Sequence, residues 1–144
     1  MARASSRTLE DVKVGVRCKL AALWIATLLL FAYGDIFGFF RPGQLQEVLA
    51  GKVSGMAITQ GFLLAVSLYV AVASVMVFLS LVLSPTVDRW ANVVLAGLYV
   101  VSIVASAIGE TSAYYWLLSI TESALLLLIV WYAWTWPRQE GTPP

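Results

Sequence analysis

The chain is predicted to be all-α, a transmembrane four-helix bundle with antiparallel neighbours, and three observations predict it. Of its 144 residues, 60% are hydrophobic and 12% charged, where soluble domains are roughly half apolar and about a quarter charged. The apolar residues fall into four runs, each long enough for the ~20 residues that carry a helix across a bilayer. The charged residues cluster between those runs, and the mean hydropathy is +0.86. This length suits one compact domain, and in lipid the backbone satisfies itself only in helices or closed barrels.

Residues 1–18, MARASSRTLEDVKVGVRC, form a polar, basic, cytoplasmic N-terminal segment with Arg3, Arg7, Lys13 and Arg17. A cleavable secretory signal over 1–34 is the rival reading. Such signals have an apolar core of about 7–15 residues behind a short basic start. The run here is longer, Glu10 and Asp11 precede it, and no good A-x-A site follows. The transmembrane domain is then 19–136.

The first span covers about 19–40, carries Asp35, and stops at Arg41-Pro42-Gly43. In QLQEVLAGKVSG, residues Leu45, Val48, Leu49 and Val53 fall at helix-like spacing. They predict a short amphipathic helix on the membrane surface between the first and second spans, with an ordinary loop as the alternative. The second span covers about 57–83, opening near Thr59 and closing before Ser84-Pro85. Residues 85–89, PTVDR, read as a polar turn. The third span covers about 90–108. Gly109 to Ser112 is a tight turn in which Thr111 or Ser112 is available as a helix cap. The fourth span covers about 113–136, and Pro137 opens a cytoplasmic tail, 137–144. Two short turns make the neighbours antiparallel.

Basic residues in short loops set orientation. With the N-terminus inside, the cytoplasmic face holds Arg3, Arg7, Lys13, Arg17, Lys19, Arg89 and Arg138, and the outer face only Arg41 and Lys52. Trp90, Trp131, Trp134 and Trp136 then mark the inner interface, and Tyr114, Tyr115 and Trp116 the outer one. Both termini are therefore expected in the cytoplasm.

Several chemistries are excluded. There is no histidine and a single cysteine. No intramolecular disulfide, multi-cysteine metal site or imidazole-based centre can form, so no cofactor and no metal are expected. A net charge of +1 argues against nucleic acid as a partner. Cys18 is expected to be a small buried thiol, with palmitoylation as the alternative. The basic N-terminus is a topology signal that touches anionic lipid at most.

Because lipid is as apolar as leucine, small and polar residues define a bundle's inside. Four stripes are predicted to face inward. They are Thr27, Phe31, Gly34, Asp35 and Gly38 on the first helix, and Gln60, Ser67, Ala71 and Ser74 on the second. Asn92, Ala96, Tyr99, Ser106 and Gly109 mark the third, and Tyr115, Ser119, Glu122 and Ser123 the fourth. Gly34 and Gly38 form a small-xxx-small pair, expected to let another helix approach closely. Asp35 lies roughly 8 Å and Glu122 roughly 14 Å below the outer end of their spans, at about 1.5 Å per residue. The matching inner half reads as mostly serine and asparagine.

No Lys, Arg or His within the apolar runs can neutralise these acids. A carboxylate at the bilayer centre costs about 2.5–3.5 kcal/mol, which favours the neutral form of Glu122. The candidate ligand- or proton-binding residues are Asp35, Glu122, Gln60, Glu110, Tyr33, Tyr99 and Tyr115, with Tyr69 as a further source of a hydroxyl or a cation–π face. The competing reading makes Asp35 and Glu122 neutral acids that bond helix to helix, Gln60 structural glue and Glu110 a solvated turn residue.

The segments LLLFAYGDIFGFFRPG, QEVLAGKVSGMAITQGFLL, VDRWANVVLAGLYV and LIVWYAWTWP resemble a family of small bacterial four-span proteins that carries only a domain-of-unknown-function label. The resemblance covers roughly 17–137. The clusters that carry it are Tyr33-Gly34-Asp35, Arg41-Pro42-Gly43, Gln46-Glu47, Arg89-Trp90 with Asn92, and Trp134 with Trp136-Pro137. It implies four helices in a bacterial inner membrane and brings no activity or catalytic residues. In size and layout the chain is more loosely similar to DoxX-like four-helix proteins, a likeness of fold alone.

The expected function is non-enzymatic: binding or transport of a small cationic or proton-linked ligand through an acidic pocket in the outer half of the bundle. The alternative is an accessory or scaffold subunit of a larger membrane complex. An enzyme acting on lipid is the least supported, because no nucleophile–base spacing is found. The expected partners are the lipid bilayer and a second copy or a larger membrane complex.

Overall fold

The computed structural model describes residues 13–137; Arg3, Arg7, Glu10, Asp11 and the tail from Arg138 onward lie outside them. In chain order the elements are α1 (Val16–Phe39), α2 (Gln44–Leu49), β1 (Lys52–Val53), β2 (Met56–Ala57), α3 (Gln60–Val82), α4 (Pro85–Ser106) and α5 (Ala113–Trp134). Helices α1, α3, α4 and α5 are long and apolar enough to cross a membrane. Large apolar side chains cover their outer faces, among them Leu29, Leu64, Leu98, Val101, Leu117 and Leu127, as a bilayer-facing surface requires.

Helix α1 packs against both α3 and α5, and α5 also packs against α4. The order around the bundle is therefore α3, α1, α5, α4. The backbones of α3 and α4 stay further apart than those of the other neighbours, although only two residues join them, and the two helices meet through side chains such as Tyr69 with Tyr99 and Ser80 with Asn92. One end of the bundle holds the α1–α3 connection and the α4–α5 turn, and we call it the loop end. The opposite end is the terminal end. The dry core sits in the terminal half, with Leu20 and Trp24 of α1, Met76 of α3, and Leu126, Ile129 and Ala133 of α5.

Local chemistry explains most boundaries. Thr59 caps α3 by accepting from the Phe62 N–H at 3.1 Å. Helix α4 starts at Pro85, a position where the missing N–H is no loss and the fixed φ already suits a helix. PTVDR is thus the first turn of α4 and not a polar turn between spans. Gly109, at φ 84°, turns the chain out of α4 in the left-handed region that favours glycine. Ser112 stands at the N-cap of α5 but makes no side-chain cap bond. The Ser112 hydroxyl is drawn instead to the Glu110 carboxylate at 2.8 Å.

The amphipathic segment between the first two long helices is present but short. Only Gln44–Leu49 is helical, and Val53 belongs to a two-stranded hairpin, Lys52 opposite Ala57 and Val53 opposite Met56. Ser54 and Gly55, at φ 48° and 77°, make its two-residue turn. Positive φ at both central residues matches the right-handed twist of paired strands.

Three further expectations are overturned. The stripe on α3 faces outward, with Gln60, Ser67, Ala71 and Ser74 all exposed, while Ala73, Met76 and Ser80 face in. Ser74 can face outward because its hydroxyl bonds back to the Val70 carbonyl at 2.9 Å. Gly34 and Gly38 hold no close helix crossing. A Cβ at Gly34 would meet Leu118 only at 3.6 Å, and one at Gly38 would meet nothing within 4 Å. Cys18 is exposed on α1 and not buried.

Candidate functional site

The loop half of the bundle is hollow. A chamber of about 640 Å³ lies between α1, α3 and α5, with Ile103 and Ser106 of α4 at its edge. Gly34 and Gly38 line its α1 wall, and their missing side chains leave the space open. Phe31 and Tyr69, with Tyr99 behind them, separate it from the rest of the dry core. The Phe31 ring lies 5.7 Å from that of Tyr69 and 6.0 Å from that of Tyr99, and the two tyrosine rings lie 4.5 Å apart. Tyr99 donates its hydroxyl to the Tyr69 carbonyl, and the Tyr69 hydroxyl pairs with that of Ser102 at 2.8 Å. The segment from Gln44 to Ile58 roofs the chamber with Val48, Val53 and Ile58.

Two carboxylates face this space, Asp35 from α1 and Glu122 from α5. Glu122 is only 7% exposed, and Asp35 and Tyr69 line the same space. Asp35 is more open. Neither acid receives a hydrogen bond or a counter-ion among the described residues. Ser119, one turn before Glu122, is also buried at the wall.

The other candidates divide. Tyr115 lines the chamber and donates its hydroxyl to Ser106 at 2.9 Å. Tyr99 does not line the chamber; it is buried in the core behind Phe31 and Tyr69. Tyr33 is exposed, its ring 6.0 Å from that of Phe37, and Gln60 is exposed at the start of α3; neither lines the chamber.

Glu110 does not face the chamber. It forms a two-pronged ion pair with Arg41, at 2.9 and 3.1 Å, that ties the α1–α2 connection to the α4–α5 turn. Its Oε1 also accepts from the Thr111 N–H, the Ser112 N–H and the Ser112 hydroxyl at 2.8–2.9 Å. The Ser112 bonds, followed by the Arg41 guanidinium, hold this carboxyl down at about 2. The same pairing raises Arg41, so the clasp is charged on both sides.

A second polar cluster, in the terminal half, is built on Asn92, which faces inward as its stripe predicts, and it also takes in Trp24, Ser80 and Asp88. Asn92 accepts from the Trp24 indole N–H at 2.7 Å and donates to the Asp88 carboxylate at 2.7 Å, with Ser80 at 3.3 Å. Trp24, Ser80, Asp88 and Asn92 are all fully buried. Asp88 had been placed in a turn. Its spacing of four from Asn92, which puts both on one helix face, was the signal that could have found it. Arg17 donates to the Leu81 carbonyl at 3.0 Å and lies close enough to Asp88 to act on its charge. At the same end Arg89 sits over the Trp134 ring at 5.2 Å and Lys19 over Tyr132 at 5.0 Å.

Among the described residues no group of three or more His, Cys, Asp and Glu could hold a metal ion. The arrangement can hold a positively charged group against two carboxylates within an otherwise apolar space.

Fold and chamber together define a class: a small four-helix protein whose helices could each cross a membrane, with acids facing a cavity between them. The chain belongs to a family of unknown function, DUF6326, whose model matches residues 12–142. No match was found among curated proteins or among solved structures.

Proposed function

We propose that this is a non-enzymatic, multi-pass protein of the bacterial cytoplasmic membrane that binds or moves a small cationic or proton-linked ligand through the chamber. The single observation that carries the reading is that Asp35 and Glu122 line one cavity with no basic partner. Such acids are costly in lipid and tend to mark ion or proton pathways. The excess of basic residues at the terminal end supports cytoplasmic termini and a chamber towards the outside. Around Glu122 stand Asp35 of α1, Tyr69 of α3 and Tyr115 of its own helix, with Arg41 at the rim already paired to Glu110. Ionising the two acids creates the cation site, so affinity should rise with pH.

The test is the uptake of ethylammonium by purified protein between pH 5 and 9, with proton release followed in weak buffer. Asp35→Asn with Glu122→Gln should abolish pH-dependent binding while the helix content stays unchanged. Binding that keeps its pH dependence in this variant overturns the reading.

A second reading, a scaffold or self-associating subunit, is favoured by one observation. Ser67, Ala71 and Ser74 form an exposed small-residue stripe on the outer face of α3, the kind of surface on which a further helix packs closely. A single monomeric species recovered repeatedly in mild detergent, without a stoichiometric partner, counts against it.

A further inference from the structure

The lining of the chamber narrows the class of ligand. Glu122 is 93% buried by its 7% exposure, has no hydrogen-bond partner among the described residues, and faces the cavity. Most of the remaining lining is hydrocarbon or aromatic, so a well-hydrated ion would leave those walls unused. The apolar lining is also continuous with the outer surface of the bundle. Helices α3 and α4 meet through side chains, Ser80 on Asn92 near their turn and Tyr69 with Tyr99 and Ser102 further along. Beyond that pair, towards the loop end, no hydrogen bond among the described residues joins the two helices. There Leu63, Val66 and Val70 line the chamber and keep 39–46% of their surface exposed.

We propose that the chamber takes an amphiphilic cation, a protonated amine that carries a hydrocarbon body. The ammonium lies between Asp35 and Glu122, and the body runs along the margin between α3 and α4. This rests on the acidic-chamber reading above and gives it a substrate class. The carboxylates replace the water that the ammonium loses. Phe31 and Tyr69 offer ring faces beneath it, and the body stays in surroundings as apolar as lipid. A volume of about 640 Å³ matches the ~300–1,000 Å³ of sites for ligands of drug size.

The experiment uses the full chain in phosphatidylcholine nanodiscs at pH 8. Saturable binding of ethyl-, butyl-, hexyl- and decylammonium is measured against protein-free nanodiscs, with decanol as the uncharged control. Each methylene that the protein buries should tighten binding about fourfold, and decanol should bind at least about tenfold more weakly than decylammonium. Glu122→Gln and Asp35→Asn should each weaken every amine, and either alone tests the charge requirement should the other fail to fold. Val66→Ser with Val70→Ser, both at exposed positions, should weaken decylammonium and leave ethylammonium unchanged. Equal affinity from ethyl to decyl, with the acids still required, overturns the amphiphile and leaves the acidic chamber standing. Decanol binding as tightly as decylammonium, or amine binding indifferent to both acid substitutions, overturns both.

Discussion

Glu110 and Asn92 carry the densest side-chain chemistry outside the chamber, and each does so by serving several partners. Glu110 ionises at about 2 in the folded chain against an ordinary value of 4.5. A carboxyl held below its unfolded value stabilises the fold above that value and loses this contribution as pH falls towards the folded one. Thermal unfolding of Glu110→Gln should therefore fall below that of the wild-type chain at pH 6. The gap should close between about pH 4.5 and 2, and a gap that is constant with pH would refute the assignment. Asn92 answers the indole of Trp24 and the carboxylate of Asp88 together. Asn92→Ala should destabilise by roughly 1–3 kcal/mol for each buried group left unpartnered, measured by unfolding in denaturing detergent. The deep acids were legible as isolated charges in greasy runs. The role of Glu110 was not, because its partner Arg41 stands 69 positions away.

Among the elements, α3 is tied in mainly through α1, and its start depends on one side chain. Thr59→Ala removes the acceptor of the Phe62 N–H and should cost about 1 kcal/mol. The same substitution should loosen the roof that joins α3 at Ile58, seen as faster amide exchange over 52–60; unchanged exchange there would show the roof held by other contacts. The start of α4 was missed for a local reason. Pro85, Asp88 and Arg89 resemble a polar turn in composition, but proline fits a helix's first position and Asp88 turns its carboxylate inward to Asn92. Ser74 of α3 departs from its predicted stripe for the opposite reason: its hydroxyl bonds back to the Val70 carbonyl of its own helix and needs no neighbouring helix.

At the scale of the whole molecule, the bundle is divided into a filled terminal half and a hollow loop half. The hollow comes with two acids that no basic side chain among the described residues pairs with. Asp35→Asn with Glu122→Gln should raise stability at pH 9, where both acids are charged, by roughly 1–3 kcal/mol. A melt in detergent that is unchanged or lower would show that the acids hold the bundle together. Such a gain on removing a costly group is the usual mark of residues kept for function over stability.

Hydropathy and charge placement by themselves determined the number of long helices, their approximate limits and the presence of an unneutralised acid in each of two apolar runs, because each depends on a short stretch of chain and its transfer from water. Only the tertiary structure decided that α3 packs more closely on α1 than on α4, that Asp35 and Glu122 share one chamber, and that Glu110 belongs to a clasp. Every face of a helix in lipid is apolar, so the pattern along the chain does not say which face meets a neighbour. That choice is made by packing and by hydrogen bonds between residues far apart in sequence.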